Sequence, residues 1–238
     1  MKFKITPGLI LGIILLLILV LCGFVLLVSH LLKNIDTKWA AVLFAAIIIS
    51  AFIYDAIEKK QEKKQKAEFL ETGRLLFADH EKAFTDFYNL YLDNKRRFLS
   101  QNAQLLKNEE AFDFKSLKPV EVLYLFAVSK KLVHMVDWRD EENEKEIEGF
   151  IDGLIKQTQS WPNVSKLRAN TSEDKQNDGL FIVDLFKCAD KDLKLINQRL
   201  LFFELGWDAY VYTVVPAKTF DLIKGKPAGF HGVSKLKK

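Results

Sequence analysis

Cysteine is scarce in this 238-residue chain. Cys22 lies in an apolar stretch and Cys188 in a polar one, so a disulfide between them is not expected. That excludes a disulfide-stapled scaffold and points to a reducing compartment. Histidine is also rare, and His80, His134 and His231 are too far apart for metal-ligand spacing. The chain has no G-x-x-x-x-G-K-[ST], G-x-G-x-x-G, G-x-S-x-G, H-E-x-x-H or paired C-x-x-C, and "GKPAG" at 225–229 lacks the strand–helix context of a phosphate loop. "DHE" at 79–81 sits on a helical pattern where adjacent side chains diverge, and Cys188 reads as a buried structural thiol. No catalytic residue, cofactor or metal is therefore assigned. A strong charge of one sign is missing too. The net charge is +4, and Lys224, Lys226, Lys235, Lys237 and Lys238 form a local basic tail. Nucleic acid is not an expected partner.

Long hydrophobic runs are present. Leu9 to Leu32 carries no formal charge over 24 residues, enough for a helix to cross a hydrocarbon core of roughly 30 Å. Its apolar part is too long for a signal-peptide core, and no small-x-small site closes it. Trp39 to Tyr54 forms a second, shorter run with an aromatic residue near each end, as interfacial anchors would be placed. With "KNIDTK" at 33–38 between them, the two read as a transmembrane helical hairpin over 1–57. Lys2, Lys4, Lys59, Lys60, Lys63, Lys64 and Lys66 lie on one side of the spans, against Lys33 and Lys38 on the other. The positive-inside rule then puts both termini in the cytoplasm, in a two-pass membrane protein. Lys59, Lys60, Lys63, Lys64 and Lys66 are also candidates for contact with anionic lipid, although Glu58 and Glu62 dilute the run. Ala40, Ala41, Ala45, Ala46, Ser50 and Ala51 offer small surfaces through which spans can pack, so a homo-oligomer is a further expectation.

Proline and glycine almost vanish between Asp55 and Lys107, where Gly73 stands alone. Phe84, Tyr91, Phe98 and Leu105 recur every seven residues, with Phe69 and Leu76 one register earlier. The spacing predicts a long amphipathic helix, broken near Gly73 and packed on the chain's own domain. This juxtamembrane helix and a following loop occupy 58–118. From 119 to 225 the pattern is α+β: helices on a small, mainly antiparallel sheet. Pro119 opens a helix; "LVHMVDW" at 132–138 is a short strand; an acidic helix follows; 161–179 reads as a polar loop. Residues 180–198 read as a helix with Phe181, Leu185, Cys188 and Leu195 inward. A hairpin around Gly206 follows, with Tyr210, Tyr212 and Val214 on one face and Val211, Thr213 and Val215 on the other. Residues 226–238 read as a mobile basic tail. The sequons at Asn163 and Asn170 carry no weight in a cytoplasmic domain.

"DLFKCADKDLKLINQRLLFFELGWDAYVYTVVP", together with "VDWRDEEN" before an acidic helix, resembles an uncharacterised bacterial domain family over about residues 120–225. The resemblance implies a small α+β domain and carries no catalytic residues over. The remaining candidates are surfaces. Asp140, Glu141 and Glu142 belong to an acidic stretch that can dock a basic partner, and Trp138, Trp207, Asp208 and Tyr210 are candidate interface anchors. The expected function is a membrane-anchored protein-binding module of adaptor or immunity-like type. Its partners are the lipid bilayer, which the resemblance implies is a bacterial inner membrane, and another protein. The alternatives are an enzyme with an unrecognised site in the α+β domain, or a membrane-embedded oligomer.

Overall fold

A computed structural model describes residues 22, 23, 26, 37–108, 117–139, 141, 143–172, 179–224 and 229–236. The chain divides into two compact units, Met1–Glu62 and Lys63–Lys238.

In the first unit, helix α1 begins; it runs Thr37–Leu76. From Ala45 to Ile57 its side chains are exposed, most of them apolar. Among the described residues no helix is long and apolar enough to cross a membrane. The expected transmembrane hairpin is thus unsupported. Most of its first run lies outside the described residues. In the second run the uncharged stretch is Trp39 to Tyr54, closed by Lys38 and Asp55. Its 16 residues at 1.5 Å each give about 24 Å, short of a hydrocarbon core of roughly 30 Å.

The second unit is α+β. Its sheet has the order β1-β3-β2-β4 and is antiparallel throughout. The strands are β1 (His134–Asp137), β2 (Gln198–Phe203), β3 (Ala209–Pro216) and β4 (Phe230–His231). Alternation along β3 sorts its side chains as expected. Val211 and Val215 enter one core, while Tyr210, Tyr212 and Val214 enter the other. Helices cover both faces.

The first core is aromatic. Phe69 and Phe77 meet Phe84, Tyr88 and Tyr91 of α2 (Glu81–Asp93), Phe98 of α3 (Lys95–Gln101) and Phe126 of α5 (Pro119–Ser129). The seven-residue stripe is therefore buried on the chain's own unit. The long helix is broken into pieces, however: after Leu76, at Asn94 and at Asn102, with α4 following at Ala103–Asn108. The first break falls at Phe77, not Gly73. Asn94 starts α3 because its side chain accepts from the Arg97 N–H at 3.0 Å. At α5 the Glu121 carboxylate accepts the Lys118 backbone N–H at 2.6 Å.

The second core lies under α6 (Glu146–Ile155), α7 (Pro162–Asn170) and α8 (Gly179–Lys194). Three expectations fail on this side and at the chain's end. Residues 162–170 form a helix rather than a loop. Leu195 is 74 % exposed, because α8 stops at Lys194 and the chain turns into β2. Residues 229–236 are not a free tail: β4 pairs with β2, and Phe230 is buried against Phe203 at 5.0 Å between ring centroids. Helix α9 (Ala217–Ile223) links β3 to that last segment.

Candidate functional site

The hairpin fixes the site. Strands β2 and β3 end in the pair Phe203↔Val211, and residues 204–208 turn between them. Gly206 adopts φ +74°, in the left-handed region that glycine enters without steric cost. On the other side of β3, the pair Asp137↔Ala209 ends β1 at the same level. Trp138 and Asp208 are the next residues on their strands, so the register brings them to one end of the sheet. The fourth strand lies on the far side of β2, where His231 faces Phe202.

A cleft of about 500 Å³ opens at this end, lined among others by Glu204, Trp207, Asp208, Tyr210, His231 and Lys235. Asp208 is exposed at the turn. Trp207 is half-buried and stands edge-on to Tyr124 of α5, 5.1 Å between centroids, so one edge belongs to the first core. Tyr210 is half-buried on the opposite face, edge-on to Phe186 at 5.5 Å. Burial pushes its phenol above the ordinary value. The His231 ring lies flat on Phe202, 5.6 Å away and inclined by 7°. Its Nδ1 is 3.1 Å from the Gly232 carbonyl oxygen, and its Nε2 is 3.3 Å from Glu204 Oε2. Trp138 is 45 % exposed, with the Arg139 guanidinium 5.0 Å above its ring.

The acidic stretch is built differently from a docking face. Glu141 turns inward, where its carboxylate accepts the Ile147 N–H at 3.1 Å and the Arg168 guanidinium at 2.7 Å. Arg168 also donates to both oxygens of Glu148, at 2.9 and 2.8 Å. All three side chains are nearly buried. Burial pushes the Glu141 carboxyl up, against the opposing pull of the Ile147 N–H and Arg168. Burial works against the Arg168 charge, but the hydrogen bonds it donates to Glu148 and Glu141, with the attraction of their charges, outweigh it and hold the guanidinium above its ordinary value. Glu146 Oε1 lies 2.6 Å from His134 Nε2, beneath Phe150. Tyr212 sits below these carboxylates with a buried hydroxyl that has no hydrogen-bond partner among the described residues. Desolvation first, then Glu146, Glu141 and Glu148, push its phenol far up. Asp140 and Glu142 lie outside the described residues.

Of the basic candidates, Lys59, Lys60, Lys63 and Lys64 are exposed and Lys66 is half-buried. Lys59 reaches Asp55 at 2.8 Å and Lys64 approaches Glu68 at 3.8 Å. Among the described residues no group of three or more His, Cys, Asp or Glu is arranged to hold a metal ion. Glu204 and His231 were not among the sequence candidates. Their pairing depends on β4, and the one signal for that strand was the apolar Phe230 inside a basic tail.

Residues 68–226 match a family described as domain of unknown function DUF6630. The chain belongs to this family. The DUF6630 match takes in the aromatic stripe of α2 and α3 as well as the stretch whose resemblance was carried by α8 and the hairpin. It ends before β4, so His231 lies outside the DUF6630 residues. No curated protein and no solved structure matches the chain.

Proposed function

We propose that the chain is a membrane-anchored module whose DUF6630 unit binds another protein at the hairpin end of its sheet, in an adaptor or immunity-like role. One observation carries the anchor. Ile47, Ile48, Ile49, Phe52, Ile53, Tyr54 and Ile57 are exposed on α1. Three consecutive isoleucines occupy most of a helix circumference, so the segment is apolar on all sides, a pattern suited to lipid. The uncharged run before it and the lysines after it favour a two-pass hairpin with both termini in the cytoplasm of a bacterial cell. Support for partner binding comes from the joint placement of Trp138, Trp207, Asp208 and Tyr210, since half-exposed aromatics beside a charge make typical anchors. The inward-turned Glu141 leaves less of the acidic stretch to contribute.

Fractionation and affinity capture test this reading together. The tagged full chain is expected in the membrane fraction after alkaline extraction, and in mild detergent it should retain a stoichiometric partner. The pair Trp138→Ser and Asp208→Lys, both at exposed positions, should release that partner without altering the fold. Recovery in the soluble fraction would remove the anchor, and a partner indifferent to both substitutions would remove the binding surface.

A second reading, catalysis in the same cleft, is favoured by the Glu204–His231 pair beside Tyr210. A carboxylate that orients an imidazole is an arrangement able to move a proton. Turnover of any substrate that His231→Gln abolishes, with folding intact, would favour it over binding.

A further inference from the structure

We propose that the cleft between α6 and α7 binds a small saccharide. It encloses about 630 Å³, within the usual range for a small-molecule site. It shares no lining residue with the hairpin cleft, so this inference stands apart from the proposed docking surface and from the anchor. Two donors mark it. The indole Nε1 of Trp161 and the amide Nε2 of Gln159 are buried and have no hydrogen-bond partner among the described residues. Both residues line the cleft. Buried donors are costly to leave unpaired and are nearly always satisfied. These two sit on the irregular link 156–161 between the helices, and the terminal torsion of a glutamine is broad. A small local adjustment therefore presents both N–H groups to a ligand.

A glycine leaves the room. Gly149 lies inside α6, where glycine is less favourable than alanine. No neighbour demands it, because a Cβ there would meet nothing within 4 Å. Gly149 is exposed and lines the cleft, so the missing side chain keeps open the space a ligand would enter. Gly153, one turn further along α6, is equally unobstructed but does not line the cleft.

The lining chemistry selects the ligand class. Of its charged groups, Arg168 is held by Glu148, and Lys145 lies 3.7 Å from Glu144. Asp152 is the remaining charge, so the cleft offers no surplus cation to an anion. An apolar ligand would leave the two N–H groups unpaired. Asp152 Oδ1 accepts the Gln159 backbone N–H at 3.1 Å, and a carboxylate has further acceptor capacity. The exposed hydroxyls of Thr158 and Ser165 both donate and accept. A sugar matches this set. Each of its hydroxyls can accept an N–H from Trp161 or Gln159 and donate to Asp152, and the C–H face of its ring suits a flat indole.

The test is titration of the full chain, held in a detergent without a sugar headgroup, with glucose, galactose, mannose, N-acetylglucosamine, maltose and lactose. The Trp161 indole N–H resonance, assigned by its loss in Trp161→Phe, should move saturably with at least one of them. Trp161→Phe and Gln159→Ala should each weaken binding of that sugar at least tenfold by saturation-transfer NMR. Gly149→Ala should weaken it as much while raising Tm, and Gly153→Ala should raise Tm and leave binding unchanged. That split separates a ligand site from a folding defect. No response to any of the sugars, a response that these substitutions leave intact, or displacement of the sugar by inorganic phosphate at equal concentration would each overturn the proposal.

Discussion

Replacing Gly73 with alanine sets two effects of opposite sign against each other. Gly73 lies in the last turns of α1, where alanine would stabilise the helix by up to about 1 kcal/mol over glycine. A Cβ built there, however, stands 2.0, 2.3 and 2.8 Å from three carbons of the Phe84 ring. Non-bonded carbons sit comfortably at about 3.5–4.0 Å. The ring has no free direction. Phe84 is fully buried, with Phe77, Tyr88 and Phe126 at 5.2, 5.6 and 5.3 Å between centroids. Overpacking of this kind costs about 1–3 kcal/mol, and an overlap this deep against a boxed ring belongs at the upper end. The net expectation is a loss of about 2 kcal/mol, or roughly 4–8 °C in Tm for a unit of this size. Urea unfolding followed by tryptophan fluorescence reads it directly. Gly149→Ala and Gly153→Ala in α6 serve as controls, because a Cβ at either position meets nothing within 4 Å. They should gain stability. Phe84→Leu in the Gly73→Ala background should recover part of the loss, a non-additivity expected only of residues in contact. If Gly73→Ala unfolds at the wild-type midpoint or above it, the close approach of helix and ring is wrong.

Two further outcomes follow from the buried charges. Asp192 accepts the backbone N–H groups of Asn163 at 3.1 Å and Val164 at 3.2 Å, so it caps α7 from another helix. Asp192→Ala should cost about 1–2 kcal/mol and speed hydrogen exchange in the first turn of α7 before elsewhere. Arg168→Met should be more damaging, about 3–5 kcal/mol near neutral pH, because it leaves Glu141 and Glu148 buried and unpaired. Its pH dependence has a definite sign. Burial raises the folded-state pKa of Glu141 above its ordinary value, so the folded state binds more protons between the two. That contribution is present in full below the ordinary carboxylate range and is lost as pH rises through the folded value. Without Arg168 the rise is larger, so acidification from pH 7 toward 5 should narrow the gap between variant and wild type. A gap that stays constant or widens on acidification would contradict the assignment.

How far the fold was legible in the sequence depends on where each element draws its stabilisation. The aromatic stripe of α2 and α3 and the alternation of β3 are visible in the sequence because a single periodicity sets both the element and its buried face. Helix α7 is not, because "PNVSKLRAN" has little apolar content beyond Val164 and Leu167 and no capping side chain of its own. Its N-terminal N–H groups are satisfied by Asp192, and Arg168 on its last turn is held by two glutamates from before and within α6. Each of those partners is about 20 or more residues away, where no local pattern reaches. Strand β4 was missed for a related reason: two residues between glycines have no period, and their place comes from β2 and Phe69. The surface residues Trp138, Asp208 and Tyr210 were legible as chemistry. That they share one end of the sheet depends on the register of β1 and β2 on β3, which only the folded chain shows.

The sheet also acts as a partition. Leu123 and Phe84 lie in one core, Ile151 and Leu185 in the other, with a single layer of backbone between them. A cavity opened on one side has no packed neighbours in common with a cavity opened on the other, so truncations across the sheet should add their costs, while truncations on the same side should interfere. Yet neither side can melt alone. Leu201 and Phe203 of β2 serve the first core while Leu200 and Phe202 serve the second. Releasing one face removes the strand that the other is built on, so the molecule combines energetic independence of its two interiors with a single unfolding transition.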